Sequence, residues 1–445
     1  MKKYYFSVTL GMVLSLLTNL NASTSNYLAS QVYSDLERKV FQVKTALSKD
    51  APKSSYGTGF VVAIDGKIIT NYHVVSRSLE KYNTYQIYVD VEGEMFEAKI
   101  LEIDIIHDLA LLKIDKIFEN SLKIRMQNIK IGERIFSMGI PKDLGLSITE
   151  GIYNGIKKNG LYENIHMSNP LNAGMSGGPV IDSKGELVGV NVSILLKSQN
   201  ISFAVTSKSV KRILDKYNSR GKDVVQYSNK NDKAVDSEIE KQLLNAQESL
   251  TTDFMNTAKK SKKEGLWSYT KPSKELTCWQ VDNSDKDKNL YHEKKEICYV
   301  PSSSHVKHDL YGGTYELKYS IMSTDKLSLV KFYNYVNSVY NGEQMIESLY
   351  INFFANDNYT KYECDKDIVF NTKDIPFKIN YCVKAYVNYK GIYDVDFKAV
   401  TLLKDKNALF LRLTLRGFTS NNINQFIQTL LNDIRFSNNV DYKNI

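Results

Sequence analysis

The chain has 445 residues, which is too long for one ordinary hydrophobic core and predicts two or three domains. Hydrophobic residues make up 42% and charged residues 24%, a composition that excludes a disordered or membrane-embedded chain. The net charge of +8 forms no basic block, so nucleic-acid binding is not indicated.

Residues 1–23 have the pattern of a signal peptide. Lys2 and Lys3 precede a largely apolar stretch, and small residues follow at Ala22 and Ser23, where a signal peptidase could cut. We therefore expect an exported protein, either periplasmic or secreted. The alternative is an uncleaved leader that serves as a membrane anchor, although its apolar stretch is barely long enough to span a bilayer. Membrane association is expected only in that case.

Residues 24–55 are interpreted as an N-terminal helical segment. Residues 24–50 contain neither Gly nor Pro, and apolar residues recur at Val32, Leu36, Val40 and Val43. This spacing predicts an amphipathic helix that leads into the first domain.

Residues 56–215 consist of short β-type runs separated by turn residues. Asp65-Gly66 is a strong signal for a tight hairpin, and residues 182–185 predict a second, looser one. Many short strands at this spacing favour an all-β sandwich or barrel.

The remaining chain predicts a linker, a helix and a separate α+β domain. Residues 216–265 are read as a polar, lysine-rich linker and a helix that starts at Ser237, where Glu240 completes a capping box. Residues 266–445 mix strand-like stretches, the clearest at 378–389, 393–403 and 408–415, with helical stretches after Ser323 and Ser420. This mixture predicts the α+β domain, whose function the sequence leaves unknown.

All four cysteines lie in the C-terminal half. An even number of cysteines in an exported chain predicts disulfides. Three pairings are possible, and we favour Cys278–Cys298 with Cys364–Cys382 because each closes a short loop. No C-x-x-C pair occurs, and we predict neither a metal site nor a cofactor.

The segment NAGMSGGPV, residues 172–180, carries the strongest chemical signal. Gly174 and Gly177 flank Ser176, so the backbone can bend and a substrate carbonyl can approach the hydroxyl. In this geometry the N–H groups of Gly174 and Ser176 would form an oxyanion hole. The alternative is a Gly-rich turn in which Ser176 is only a surface hydroxyl.

A serine nucleophile also needs a base and an acid that orients the base. His73 in IITNYHVV is the candidate base, although a single His at the end of a strand is often structural. Asp108 in HDLALLKI is the candidate acid, and its alternative is a solvated Asp at the start of a strand. The chain order His, Asp, Ser is that of the chymotrypsin-type triad.

These segments together resemble the HtrA (Deg) serine proteases. The matching text is YGTGFVV, IITNYHVV, HDLALLKI, NAGMSGGPV, GELVGVNV and NISFAV, which covers residues 56–213. The resemblance implies an all-β, chymotrypsin-like double β-barrel with His73, Asp108 and Ser176 in the cleft between the barrels. It also implies that Ser202, Phe203 and Ala204 border the substrate groove, and that an N-terminal segment could mediate trimers.

The chain departs from the family at several positions. Ala173 stands where members have Pro, Met175 where they have Asn, and Ser202 where they have Gly. Residues 266–445 do not resemble the PDZ domains of the family. Pro170 occupies the position that holds an Asp in trypsin-like enzymes specific for Lys or Arg, so small or medium apolar side chains are the expected preference.

The sequence thus predicts an exported serine endopeptidase that acts on unfolded or exposed protein segments. The alternative is a binding or chaperone protein that keeps the barrel as a scaffold and recognises partners through its C-terminal domain.

Overall fold

A computed structural model describes residues 28–79, 85–158, 162–194, 201–220, 227, 232–273, 276–283, 289–301, 304–307, 310–351, 358–402 and 405–437. The predicted signal peptide lies outside these residues. The chain divides into two compact units, one of residues 1–157 and 163–232 and the other of residues 158–162 and 233–445.

The first unit contains two closed six-stranded barrels, which confirms the predicted double β-barrel. The strands of the first barrel follow the order β1-β2-β3-β6-β5-β4, and those of the second follow β10-β11-β12-β9-β8-β7. The strands are β1 Val40–Ala46, β2 Lys53–Ala63, β3 Lys67–Thr70, β4 Gln86–Val91, β5 Glu94–Asp104, β6 Leu109–Lys113, β7 Arg134–Gly139, β8 Ser147–Lys158, β9 Glu163–Met167, β10 Pro179–Asp182, β11 Leu187–Ile194 and β12 Ser202–Thr206.

Three α-helices accompany the barrels in the described part of this unit. They are α1 at residues 28–36, α2 Tyr72–Val75 and α3 Ser207–Ser219. Short 3-10 turns lie at Glu37–Lys39, Ser76–Leu79 and Pro141–Asp143.

The predicted N-terminal helix is wrong beyond its first part. Helix α1 ends at residue 36, and Val40 and Val43 belong to β1, a strand of the first barrel. Strand β1 pairs with β2 on one side and with β4 on the other. Because both faces of β1 are largely buried, its apolar residues follow no clean alternation, and their spacing imitates a helix.

Both predicted hairpins are confirmed. Strands β2 and β3 pair on either side of Asp65-Gly66, where Gly66 has φ +91°. Strands β10 and β11 pair around Gly185, which has φ +75°. Glycine adopts this left-handed conformation without a steric penalty, which explains why these turns were visible in the sequence.

The second unit is an α+β domain, as predicted. Its main sheet has seven antiparallel strands in the order β15-β16-β19-β23-β22-β21-β20, and smaller sheets contain β13-β14-β24 and β17-β18. The strands are β13 Ser261–Glu264, β14 Trp267–Thr270, β15 Thr277–Asn283, β16 His292–Tyr299, β17 Ser304–Lys307, β18 Leu310–Gly312, β19 Thr314–Ser323, β20 Glu363–Phe370, β21 Pro376–Ala385, β22 Ile392–Thr401, β23 Asn407–Thr419 and β24 Arg435–Phe436.

Helices cover the main sheet from both faces. The helices are α4 Asp232–Thr257, α5 Leu329–Ile351 and α6 Ser420–Asp433. Phe254 of α4 and Phe426 of α6 join the large core on one face, whereas Phe332 of α5 packs with Phe410 in a separate cluster on the other. Helix α4 starts at Asp232, five residues before the predicted start at Ser237, and α3 extends to Ser219, inside the predicted linker.

The cysteines pair in the second unit. Cys278 bonds to Cys298 and Cys364 bonds to Cys382, which are the two pairs favoured from the sequence. Each disulfide ties one edge strand of the main sheet, β15 or β20, to its neighbour. Among the described residues, no helix is long and apolar enough to cross a membrane.

Candidate active site

His73 lies on the short helix α2, directly after strand β3. Its neighbours Tyr72, Val74 and Val75 are fully buried, and the hydroxyl of Thr45 donates a hydrogen bond to the carbonyl of Val74. These contacts anchor α2 to the first barrel. The imidazole itself keeps 35% of its surface exposed, so it is held by its backbone and remains open on one side.

Asp108 lies in the turn between β5 and β6 and contacts His73 twice. Its Oδ2 is 2.6 Å from His73 Nδ1, and its Oδ1 accepts the backbone N–H of His73 at 2.9 Å. The carbonyl of Asp108 accepts the backbone N–H of Tyr72 at 3.1 Å and the side-chain amide of Asn71 at 2.8 Å. Four contacts therefore fix this residue to the segment that carries His73.

The carboxylate controls the charge state of the imidazole. Burial by itself lowers the pKa of His73, but the charge of Asp108 and its hydrogen bond outweigh burial and raise the pKa above its ordinary value. The contact at Nδ1 places the proton of the neutral ring on that nitrogen, which leaves Nε2 as the basic atom. A base held in one tautomer by a carboxylate is the arrangement that a serine nucleophile requires.

Ser176 lies in the loop between β9 and β10, packed against the strands that precede α2. The carbonyl of Ser176 accepts the backbone N–H of Thr58 at 2.8 Å. Gly177 has φ +83°, and a Cβ there would lie 2.4 Å from the hydroxyl oxygen of Thr70 and 2.8 Å from the backbone nitrogen of Asn71. Only glycine fits this contact, which brings the candidate nucleophile to the chain just before His73.

The hydroxyl of Ser176 donates a hydrogen bond of 3.4 Å to the carbonyl of Val192. The structure thus joins His73 to Asp108 directly, while the hydroxyl points to a neighbouring carbonyl. Catalytic hydrogen bonds in enzymes without bound substrate are often long or poorly aligned and tighten when substrate binds.

Two backbone N–H groups of the loop are left for a ligand. The N–H groups of Met175, Gly177 and Gly178 donate to backbone carbonyls. Across the described ranges, those of Gly174 and Ser176 donate to no protein acceptor. These two donors are the ones that the sequence predicts for an oxyanion hole.

The orientation of both peptide groups follows from their carbonyls. The carbonyl of Ala173 accepts the N–H of Lys142, and that of Met175 accepts the N–H of Gly178. Because C=O and N–H point in opposite directions across a trans peptide, the N–H groups of Gly174 and Ser176 face away from these internal partners. The side chain of Met175 is buried beside Gly139, so only its backbone belongs to the proposed oxyanion site.

Sequence reasoning missed two residues that hold this loop. The hydroxyl of Thr58 donates to the carbonyl of Gly174 at 2.7 Å and accepts the N–H of Ile140 at 3.0 Å. The side chain of Asn191 donates to the carbonyls of Met138 and Met175, at 3.1 and 3.4 Å. Both residues lie in quoted motifs, YGTGFVV and GELVGVNV, but the text of a motif does not tell which side chains bind the loop.

The three predicted groove residues have different environments. Ser202 is buried, and its hydroxyl donates to the carbonyl of Asn169 at 2.8 Å, beside Pro170. Ala204 belongs to the core of the second barrel, while Phe203 faces the other way and its ring lies near His166. Successive strand residues point to opposite faces, so the partly exposed Phe203 lies on the other face of β12 from Ser202 and Ala204, and the role of these residues in a substrate groove stays a prediction.

Among the residues that the structure describes, no group of three or more His, Cys, Asp or Glu side chains is arranged to hold a metal ion.

Comparison with known proteins supports the predicted resemblance over the barrels. Residues 57–190 match the family described as a trypsin-like peptidase domain. A probable periplasmic serine endoprotease, DegP-like, from Buchnera aphidicola is 31% identical over 195 residues, which are 41% of this chain and 41% of that protein. Serine protease HTRA4 from Mus musculus is 31% identical over 193 residues, 41% of this chain and 38% of that protein.

The chain therefore spans well under half the length of the curated relatives it matches. Among solved structures, the serine endoprotease from Yersinia pestis is 27% identical with a TM-score of 0.38, over 43% of this chain and 67% of that one. Residues 57–190 are thus similar to trypsin-like peptidase domains, and the relatives named here include HtrA-type and DegP-like serine proteases.

Proposed function

Since residues 57–190 form an HtrA-like, trypsin-type peptidase domain, we propose that this protein is a serine endopeptidase with His73, Asp108 and Ser176 as its triad. The observation that carries the proposal is the double contact between Asp108 and the backbone and ring of His73, on a segment packed against the Ser176 loop. The names of the relatives, serine endoprotease and serine protease, support the same activity.

The proposed reaction proceeds in two steps through an acyl-enzyme. Ser176 Oγ attacks the substrate carbonyl carbon while His73 Nε2 takes the hydroxyl proton. The carbonyl oxygen becomes an oxyanion, which accepts hydrogen bonds from the N–H groups of Gly174 and Ser176. The C–N bond then breaks as His73 returns the proton to the leaving amine. Water, deprotonated by His73, attacks the acyl-enzyme and releases the new carboxylate and the Ser176 hydroxyl. Asp108 stabilises the imidazolium in both steps.

The proposed substrates are unfolded or exposed protein segments with small or medium apolar side chains at the cleaved bond. Pro170 supplies no charge for a basic side chain, and the hydroxyl of Ser202 is satisfied by Asn169, so neither offers a polar partner to the substrate.

Export to the periplasm or outside the cell is proposed from the leader pattern and from the periplasmic location in the names of several relatives. Homotrimers through the N-terminal segment that precedes β1 remain part of this proposal, since Val40–Ala46 are buried in the first barrel.

The paired His73 and Asp108 speak against the alternative of a purely binding or chaperone protein. Their contact fixes the imidazole and leaves Nε2 of a partly exposed ring free to act as a base, an arrangement that a purely binding scaffold does not require.

The test is cleavage of unfolded casein by the mature protein beside its Ser176→Ala variant. We expect cleavage by the wild type and none by the variant, together with labelling of Ser176 by a serine-reactive phosphonate. Absence of both cleavage and labelling in a folded wild type would reject the proposal. Labelling without cleavage would retain the nucleophile and redirect the search to the substrate.

A further inference from the structure

The turn that carries Asp108 is held by a second acid that the triad does not include. Asp104 ends strand β5, and Leu109, opposite it in the sheet, begins β6, so residues 105–108 connect the two strands. The Oδ1 of Asp104 accepts the backbone N–H of His107 at 3.0 Å, and both carboxylate oxygens lie 2.9 Å from His107 Nδ1. One carboxylate thus fixes both the backbone and the ring of the residue next to Asp108.

This clamp matters because Asp108 has φ +52°. A non-glycine residue adopts the left-handed conformation at a cost in free energy, and it does so only where its surroundings impose it. The neighbouring N–H of His107 is fixed by Asp104 on one side, and the carbonyl of Asp108 is fixed by Tyr72 and Asn71 on the other. The carboxylate of Asp108 reaches His73 from this constrained backbone.

Helix α3 supports the clamp with a stripe of cations. Arg212 and Lys216 are spaced four residues apart on one face of the helix, and Arg220, the C-cap residue, continues this spacing. Arg212 Nη2 lies 3.6 Å from Asp104 Oδ2, while Lys216 and Arg220 bind the two oxygens of the fully buried Glu102 at 2.9 and 3.2 Å. Glu102 and Asp104 are two residues apart on β5, so the stripe pairs with acids that share one face of the strand.

The charge state of Asp104 agrees with this role. Burial by itself raises the pKa of Asp104, but the hydrogen bonds and charge of His107, with the charge of Arg212, lower it overall. The carboxylate is therefore ionised and remains an acceptor at the pH at which a histidine base works.

We propose that Asp104 is a positioning residue for the triad, which holds turn 105–108 in the conformation that presents Asp108 to His73, and that the basic face of α3 holds this acid in place. The inference rests on the proposed function for its effect on catalysis. Its structural part concerns only the contact between Asp108 and His73 and can be measured in an inactive protein.

The experiment is a nuclear magnetic resonance titration of the histidine rings in the full mature chain with Ser176→Ala. The His73 signal is assigned by its loss in His73→Gln. In this background we compare Asp104→Ala, Asp104→Asn and Asp90→Ala. Asp90 is a matched control, because its Oδ1 accepts the N–H of Gly93, three residues later, at 2.9 Å, in another turn of the same barrel.

We expect the pKa of His73 to fall toward its ordinary value in Asp104→Ala and to stay unchanged in Asp90→Ala. Asp104→Asn loses the charge but keeps an oxygen for the N–H of His107, so it should retain most of the shift. If Asp104→Ala does not melt cooperatively, Asp104→Leu, which fills the space of the side chain but offers no acceptor to His107, takes its place with the same expected results.

In the active protein, Asp104→Ala should lower kcat by about 100-fold with little change in KM, because a misplaced catalytic group affects the chemical step. Asp104→Asn should lose less than about tenfold. The proposal is overturned if folded Asp104→Ala keeps the His73 pKa of the control, or if the Asn and Ala variants shift it equally, which would indicate a charge effect. A wild type that shows neither cleavage nor phosphonate labelling while the pKa shifts as expected would reject the proposed function and leave the positioning role standing.

Discussion

At the scale of single residues, Asp108 has a strained backbone and also makes the contacts that orient the ring of His73. Its φ of +52° is a conformation that Asp and Asn tolerate better than most residues with a side chain. Two hydrogen bonds to its carbonyl and two to its carboxylate hold it there. Because four hydrogen bonds hold this residue, a substitution that keeps the shape of its side chain should retain the geometry of the site. The effect of such a substitution on activity then measures the contribution of the charge.

Asp108→Asn tests that charge. The general base must be neutral, so the activity of the wild type should fall as the pH drops through the pKa of His73, which Asp108 raises above about 6.5. The Asn variant removes the charge that raises this pKa and allows the wrong tautomer, so kcat should fall by about 10⁴-fold and the acidic limb should move to lower pH. Profiles of kcat/KM against pH for both proteins measure this, and an unmoved limb would show that Asp108 does not act on His73.

At the scale of elements, the loop at residues 173–178 is held by close main-chain contacts and by side-chain hydrogen bonds from the neighbouring strands. A Cβ on Gly177 would lie 2.3 Å from the carbonyl oxygen of Thr58, closer than real Cβ contacts allow. Thr58 on β2 and Asn191 on β11 donate side-chain hydrogen bonds to carbonyls of the loop. The loop therefore takes its shape from the two barrels between which it lies, and Gly177 is the point of closest approach.

Gly177→Ala tests this closeness against Gly185→Ala. Both glycines have positive φ, so either change should cost about 1–2 kcal/mol of unfolding free energy from the backbone alone. A Cβ on Gly185 meets nothing within 4 Å, whereas that on Gly177 must displace Thr58 or Asn71. We expect Gly177→Ala to lose phosphonate labelling as well as further stability, and Gly185→Ala to keep labelling. Urea unfolding with labelling rates measures both, and equal behaviour of the two variants would contradict the packing described.

At the scale of the whole molecule, the two units are stabilised in different ways. The first closes two barrels without any cysteine, whereas the second adds disulfides at both edges of an open seven-stranded sheet. Closed barrels have no edge strands, but an open sheet exposes two, and here the edge strands β15 and β20 are largely exposed. A cross-link at each edge stabilises the strands that have only one neighbour.

Reduction of the disulfides should shift the melting transition of the second unit away from that of the first. Each disulfide contributes about 2–4 kcal/mol, mainly by restricting the unfolded chain, so a reducing agent should lower the melting temperature of the second unit. The first unit contains no cysteine, and both its melting transition and its phosphonate labelling should persist. Differential scanning calorimetry with and without reductant checks this, with the substitution of all four cysteines by Ser as the genetic equivalent. Loss of the transition of the first unit on reduction would refute the assignment.

The sequence by itself determined the features that depend on residue type and local order. The sequence predicts the hairpins at Gly66 and Gly185, the order His73, Asp108, Ser176, and the strands β21, β22 and β23 with the helices of the α+β domain, because glycine turns, motif text and hydrophobic periodicity are properties of short segments. The short loops closed by Cys278–Cys298 and Cys364–Cys382 were favoured for the same reason, since each lies within one hairpin. The other nine strands described in this domain were not predicted individually.

Only the tertiary structure decided the features that depend on distant partners. Residues 40–46 form a strand because β4 and β2 pair with them, although their apolar spacing also fits a helix. Thr58 meets Gly174 across 116 positions, and Lys216 meets Glu102 across 114, so neither contact leaves a periodic trace in the chain. Which face of β12 is buried, here that of Ser202 and Ala204, likewise depends on what packs against the strand. Hydrogen bonds and packing act over a few ångströms in space, and the fold alone brings these residues within that range.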